Sequence, residues 1–355
     1  MATTSSSALA ASKLGTGWVD ADVHVELPGM DALRPYLRPN WREYIDLTHF
    51  RGPAAGYHPP GLLKAAPITG LEQLRGRVLD AEPIAAAIVN CGTAVDAIRD
   101  HELAAGFASA INDWLAEEWL SRDGRLRGAL VLPVQAPERA AAEVERWAGD
   151  RRFVQALLPV RSAQPYGSGI YRPLLAAIAE AGLVAGIRFG GAPANPTTPA
   201  GWASLFIEEY VAMAGAFATQ LTSLVADGAL ARHPTLRLTL LESGVSWLPA
   251  HLWKADMYWR ALRRMIPWVR RAPSSYVRSQ VRLTIAPFDA PGDEVGLKAV
   301  IAQLGGDGLL LYSSATPTRN EQDGIRDLLD SLAPESAAKV RRDNAADWYR
   351  LEEAS

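Results

Sequence analysis

The chain has 355 residues, 48% hydrophobic and 21% charged, which is ordinary globular usage and excludes disorder for the bulk of it. Its 36 Lys and Arg against 39 Asp and Glu leave a formal charge of −3, which argues against a nucleic-acid or membrane-surface role. The one cysteine, Cys91, excludes an intrachain disulfide framework and a cysteine-built metal cluster and suits a reducing cytoplasm.

Residues 1–17 are small and polar and read as a flexible tail, without the charged n-region and apolar core of a secretory signal. Residues 18–355 read as one domain. Its first apolar, β-branched run is WVDADVHVEL, Trp18 to Leu27. Similar runs recur at Ala85–Gly92, Gly128–Gln135, Phe153–Val160, Leu183–Gly191, Leu236–Gly244, Val281–Asp289 and Gly308–Pro317. Helical patterns fill the gaps, as at Pro137–Gly149, Tyr171–Gly182 and Asp293–Leu304, with proline at the start or glycine at the stop. No apolar run approaches the about 18 residues of a membrane span.

Strand and helix alternating eight times predict parallel strands with right-handed crossovers, closed as a (β/α)8 TIM barrel. A Rossmann sheet is excluded separately, because no G-x-G-x-x-G follows an early strand. Three stretches exceed a barrel unit. Arg34–Asp80 is an insertion after strand 1, expected over the active-site face, with Trp41, Tyr57 and His58 able to close over a pocket or simply pack the insertion. Ala192–Arg232 carries a Pro-rich loop and a long helix. Ser246–Ser279 interleaves Trp247, Trp253, Tyr258, Trp259, Trp268 and Tyr276 with arginines, a composition found at oligomer interfaces and equally in packing against the barrel's own helices.

In such a barrel the reactive groups sit at the C-terminal ends of the strands. Those ends offer Asp20, Asp22, His24 and Glu26 on strand 1, Arg161 after strand 4, Arg188 on strand 5, Glu242 on strand 6, Asp289 after strand 7, and Ser313, Ser314 and Thr318 around strand 8. Strand alternation puts Asp20, Asp22, His24 and Glu26 on one face, toward the lumen, and Ala21, Val23 and Val25 on the other.

The segment DADVHVELPGMDALRPYLRPNWREYI resembles the opening of the amidohydrolase-related family, the decarboxylase branch of the amidohydrolase superfamily that includes γ-resorcylate decarboxylase. The resemblance continues through YRPLLAAIAEAGLVAGIRFGG, HPTLRLTLLESGVSWLPAHLWKADMYWRAL, GGDGLLLYSSATPT and DNAADWYRL, over roughly residues 18–351. It implies a barrel with one divalent metal, held by an acid-x-His or His-x-His on strand 1, a His on strand 5 and an Asp on strand 8. Asp22 and His24 match the first pair. The strand 5 ligand position is Arg188, the strand 8 aspartate position is Ala315, and the histidine expected after it is Thr318. None of the six histidines follows His251.

A guanidinium does not deprotonate and repels a divalent cation. No metal is therefore expected, with zinc or manganese on Asp22, His24 and Glu242 as the lesser alternative. Arg188 can then close an internal ion pair, or grip a substrate carboxylate while His24 works as acid or base, oriented by Asp22 or Glu242 and helped by Ser314. Three functions remain open. One is a non-catalytic or partner subunit of an intact relative, in a homo- or hetero-oligomer of related barrels. Another is a metal-independent lyase, isomerase or hydrolase for a small carboxylated cyclic or aromatic molecule. The third is a metal-dependent decarboxylase or hydrolase with a rearranged site.

Overall fold

A computed structural model describes residues 14–53, 66–191, 198, 200–289, 291, 293–317 and 322–351. Eight parallel strands form one sheet in sequential order: β1 Trp18–Val25, β2 Ile84–Cys91, β3 Leu126–Val131, β4 Phe153–Arg161, β5 Val184–Gly191, β6 Arg237–Leu241, β7 Val281–Thr284 and β8 Leu310–Leu311. The sequential order is that of a (β/α)8 barrel, and the chain after β8 returns to β1 to close it. Tyr312 O accepts from Ala21 N, Ala315 N donates to Asp22 O, and Thr316 O accepts from His24 N. That closure shortens β8 relative to the Gly308–Pro317 run, because the chain after Leu311 bonds to β1 and to Val340 instead of extending the ladder with β7.

The helices begin in the insertion with α1 Pro39–Thr48 and α2 Leu71–Leu74, and continue with α3 His101–Leu115, α4 Pro137–Arg146 and α5 Arg172–Glu180. There follow α6 Phe206–Ala226, α7 Ala229–Arg232, α8 Leu248–Leu262, α9 Pro273–Gln280, α10 Glu294–Leu304, α11 Gln322–Ser331, α12 Pro334–Ala338 and α13 Asn344–Trp348. Local chemistry sets their ends. Asp100 caps α3 by accepting from the amides of Glu102 and Leu103, prolines open α4 and α5, and Gly305 stops α10 in a left-handed turn. No helix among the described residues is long and apolar enough to cross a membrane.

Two cores follow from the barrel geometry. The outer one packs the helices on alternate strand residues such as Val23, Val25, Val89, Ile187 and Leu240. The inner one joins Val19, Ala21, Ala86, Ile88, Val184 and Leu311 to Trp348 and Tyr349, which the C-terminal segment inserts among the strands. Leu14 packs on this second core and Gly15 O accepts from Arg342, so residues 14–17 lie against the barrel although the sequence places them in the tail.

The alternation read for strand 1 needs correction. Asp20 pairs with Ala87, but Val23 pairs with Val89, so β1 carries one extra residue between them. This bulge resets the two-residue period. Val19 and Ala21 face the inner core before it, and Asp22 and His24 turn into the barrel after it, while Asp20 points the other way and accepts from Ser314 N. Glu26 lies past the end of β1 and is exposed. In the insertion, Trp41 lies against Gly106 of α3 on the barrel's flank, not over its mouth. Tyr57, His58 and Thr318 lie outside the described residues.

Candidate functional site

Four of the residues singled out in the sequence meet at the C-terminal end of the barrel. His24 Nε2 is 3.0 Å from Asp22 Oδ1 and 3.7 Å from Glu242 Oε2, and Arg188 Nη2 is 3.8 Å from the same Glu242 oxygen. All four are buried, with relative exposures of 1% to 5%. Asp22 and His24 arrive from β1 and Arg188 from β5. Glu242 stands one residue past β6 in a left-handed conformation, φ 58°, uncommon for a non-glycine residue. Its backbone is held by Glu242 N donating to Thr284 Oγ1 at 3.0 Å. Gly244, at φ 67°, completes the turn, because a Cβ there would lie 2.4 Å from the Asp289 carboxylate. Asp289 is itself committed to this loop, accepting from the amides of Val245 and Ser246 and from the Ser246 hydroxyl.

The electrostatics of the cluster balance internally. Burial pushes the His24 pKa down, but the Asp22 and Glu242 carboxylates outweigh it and the opposing Arg188, so the imidazolium is favoured. An imidazolium and a guanidinium then face two carboxylates. On the far side of the bulge, burial raises Asp20 to about 7 despite its hydrogen bonds from Ser314. Ser314 is thus tied to Asp20, and its Oγ accepts from Thr316 N, rather than joining Arg188; with Ser313 it lines a separate cavity of about 240 Å³ beside Trp18 and Tyr312. Arg161 reaches Glu209 at 3.1 Å and the carbonyl of Gly191.

The sequence missed the roof and the floor of this cluster. Tyr210 and Phe206 from the first turns of α6 pack ring against ring at a tilt, and Tyr210 packs likewise on Phe189 of β5 at a centroid distance of 4.9 Å. Burial and then the Glu242 charge push the Tyr210 hydroxyl up to about 12. Below, Asn90 Nδ2 donates to Asp22 Oδ1 at 2.6 Å. The aromatic runs gave no periodic signal pointing to Tyr210, but Asn90 was legible in principle, because a buried Asn on a central strand needs a polar partner. On α8, Trp253 and Tyr258 are half-exposed or more, as is Trp268 beyond it.

Asp22, His24 and Glu242 each offer one ligand atom, all within 4.8 Å of one another. This convergence runs against the expectation that no metal binds and agrees with the lesser alternative of zinc or manganese. His24 Nε2, 3.0 Å from Asp22 Oδ1 and 3.7 Å from Glu242 Oε2, stands close to the donor spacing of such an ion. Metal bonds of about 2.0–2.2 Å draw tetrahedral donors to roughly 3.4 Å apart. Against an ion stand the Arg188 guanidinium, 3.8 Å from Glu242 Oε2, and Ala315, which has no donor.

Comparison with known proteins gives the family and agrees with the fold. The amidohydrolase family profile matches residues 19–351. The gamma-resorcylate decarboxylase of Rhodococcus jostii (strain RHA1) is 26% identical over 81% of this chain and 90% of that protein. The crystal structure of 2,6-dihydroxybenzoate decarboxylase complexed with 2,6-dihydroxybenzoate superposes with a TM-score of 0.69 at 24% identity, over 95% of this chain and 100% of that one. The dihydroxybenzoic acid decarboxylase of Polaromonas sp. JS666, with bound manganese and the inhibitor 2-nitroresorcinol, gives 0.68 at 22%, over 96% and 98%.

Proposed function

The chain belongs to the amidohydrolase family, on a match that runs from residue 19 to residue 351, and from that premise we propose that it is a metal-free, non-catalytic member that binds a small carboxylated ring. The observation that carries this reading is the buried Arg188 guanidinium 3.8 Å from Glu242, in one cluster with His24 and Asp22. The family's decarboxylase relatives supply the substrate class, and several neighbours hold manganese; in this chain the Arg188 guanidinium stands beside the three possible donors Asp22, His24 and Glu242. An entering carboxylate would compete with Glu242 for the guanidinium through two short, charge-assisted bonds.

A second reading is favoured by the His24 geometry. An imidazolium held by Asp22 is a proton donor near neutral pH. In a metal-independent lyase it would protonate the ring carbon bearing the carboxylate, and as the C–C bond breaks its electron pair returns to the ring and CO2 leaves.

Calorimetric titration with 2,6-dihydroxybenzoate in chelator, paired with a CO2-release assay, separates the two. We expect saturable binding without metal, weakened about tenfold or more in Arg188→Gln, and no CO2. CO2 released in chelator and lost in His24→Gln selects the lyase. CO2 released only when manganese is added overturns both.

A further inference from the structure

A continuous buried hydrogen-bond chain runs through the barrel interior from the site to the C-terminal segment. Trp348 Nε1 donates to Thr239 Oγ1 at 3.0 Å, and Thr239 lies 3.0 Å from the Tyr349 hydroxyl. Tyr349 Oη donates to Gln155 Oε1 at 2.8 Å, Gln155 Nε2 to Asn90 Oδ1 at 3.0 Å, and Asn90 Nδ2 to Asp22 Oδ1 at 2.6 Å. Asp22 Oδ1 in turn is the partner of His24 Nε2. Every member is buried.

The direction of the chain is forced by its end. An ionised carboxylate only accepts, so Asn90 must present its NH2 to Asp22 and its carbonyl to Gln155. Gln155 must then present NH2 to Asn90 and its carbonyl to a donor, and the Tyr349 phenol is that donor. The phenol keeps its proton, because burial raises its pKa far more than the hydroxyl of Thr239 lowers it, and the Asp22 charge adds to the rise. Tyr349 has one proton, given to Gln155, so Thr239 donates to it and accepts from Trp348. The backbone makes room for this chain. Gly186 of β5 faces the Gln155 amide, where a Cβ would sit 2.4 Å from Cδ. The far end is anchored as well, with Arg237 donating to Trp348 O and Arg282 stacked 4.2 Å over the Trp348 ring.

We propose that Tyr349 is a positioning residue for His24, fixing through Gln155 and Asn90 which Asp22 oxygen the imidazole meets and so the orientation of its ring. The Asp22 carboxylate sets the sense of both amides, and the Tyr349 hydroxyl is the donor that holds the Gln155 carbonyl, and through it Asn90, in place. The C-terminal segment is then part of the site although it enters from the opposite end of the barrel. This rests on the polar cluster, not on whether that cluster binds a ligand or a metal.

The test is read on the protein alone, without ligand or metal. Proton–nitrogen correlation spectra of the histidine rings are recorded at one pH, with the His24 signals assigned through His24→Gln. Tyr349→Phe removes one oxygen and leaves the ring. Tyr166→Phe is the control, since Tyr166 is equally buried and donates to Pro159 O away from the chain. We expect Tyr349→Phe to shift the His24 ring nitrogens and Tyr166→Phe to leave them in place. If Tyr349→Phe does not fold, Gln155→Met breaks the chain at its middle with a side chain of similar length, and the same shift is expected. His24 signals unmoved in the folded variant, or moved equally by the control, overturn the proposal.

Discussion

The two sides of the polar cluster make an instructive contrast. On the β1–β2 side, Asp22, His24 and Asn90 are joined by bonds of 2.6 and 3.0 Å, a tight acid–histidine pair with a fixed donor behind it. On the β5–β8 side stand a guanidinium at Arg188 and a methyl group at Ala315, and the Arg188–Glu242 ion pair is 3.8 Å long. The backbone is equally organised on both. Ala315 is fully buried and left-handed at φ 45°, a conformation that costs an alanine about 1–2 kcal/mol and is held by its bond to Asp22 O. Ala315 is thus held firmly in place at a strand end while offering no donor atom of its own side chain. Fold and packing are retained across the molecule, while the chemistry is decided by single side chains at strand ends.

The sharpest way to break the contrast is to make the two sides alike. In Arg188→His combined with Ala315→Asp, the cation is removed and two donors join Asp22 and His24. The protein should go from retaining no metal to about one zinc per chain after desalting, measured by elemental mass spectrometry. A double variant that folds and stays empty would mean that Arg188 and Ala315 are not what keeps the metal out.

A smaller effect compares the two faces of β1 across its bulge. Both His24 and Asp20 bind protons more tightly in the folded state, so each contributes stability that is complete below its unfolded pKa and is lost as pH rises through its folded value. For Asp20 that window runs from about 4 in the unfolded chain to about 7 in the folded one. The melting temperature should therefore fall between pH 5 and pH 8 and fall less steeply in Asp20→Asn. A melting temperature that rises over that interval, or the same slope in the variant, would show that the buried carboxylate on the outer face of the bulge is not linked to folding.

Much of the barrel was legible because it is written in repetition. Eight apolar runs with helical patterns between them leave few topologies, and the positions of Asp22, His24, Arg188 and Glu242 at strand ends were enough to bring them together before any coordinates. The parts that were not legible depend on single backbone events. One extra residue between Asp20 and Val23 takes Asp20 off the face of Asp22, and no residue type announces a bulge there. The early end of β8 follows from bonds made to β1, almost three hundred residues away in sequence. Ser314 was placed by the same closure, onto Asp20 and away from Arg188. Tyr349 was read only as part of a C-terminal motif, because nothing local in DNAADWYRL shows that its hydroxyl reaches the middle of the barrel.

Metal content is the measurement that meets the Arg188 claim head-on. Tag-free protein is incubated with zinc or manganese, desalted, and assayed by elemental mass spectrometry. With Arg188 paired to Glu242 and His24 paired to Asp22, the native chain should retain far less than one metal per molecule. About one tightly held zinc or manganese per chain would contradict this, and would assign Asp22, His24 and Glu242 as ligands of an ion that coexists with the guanidinium.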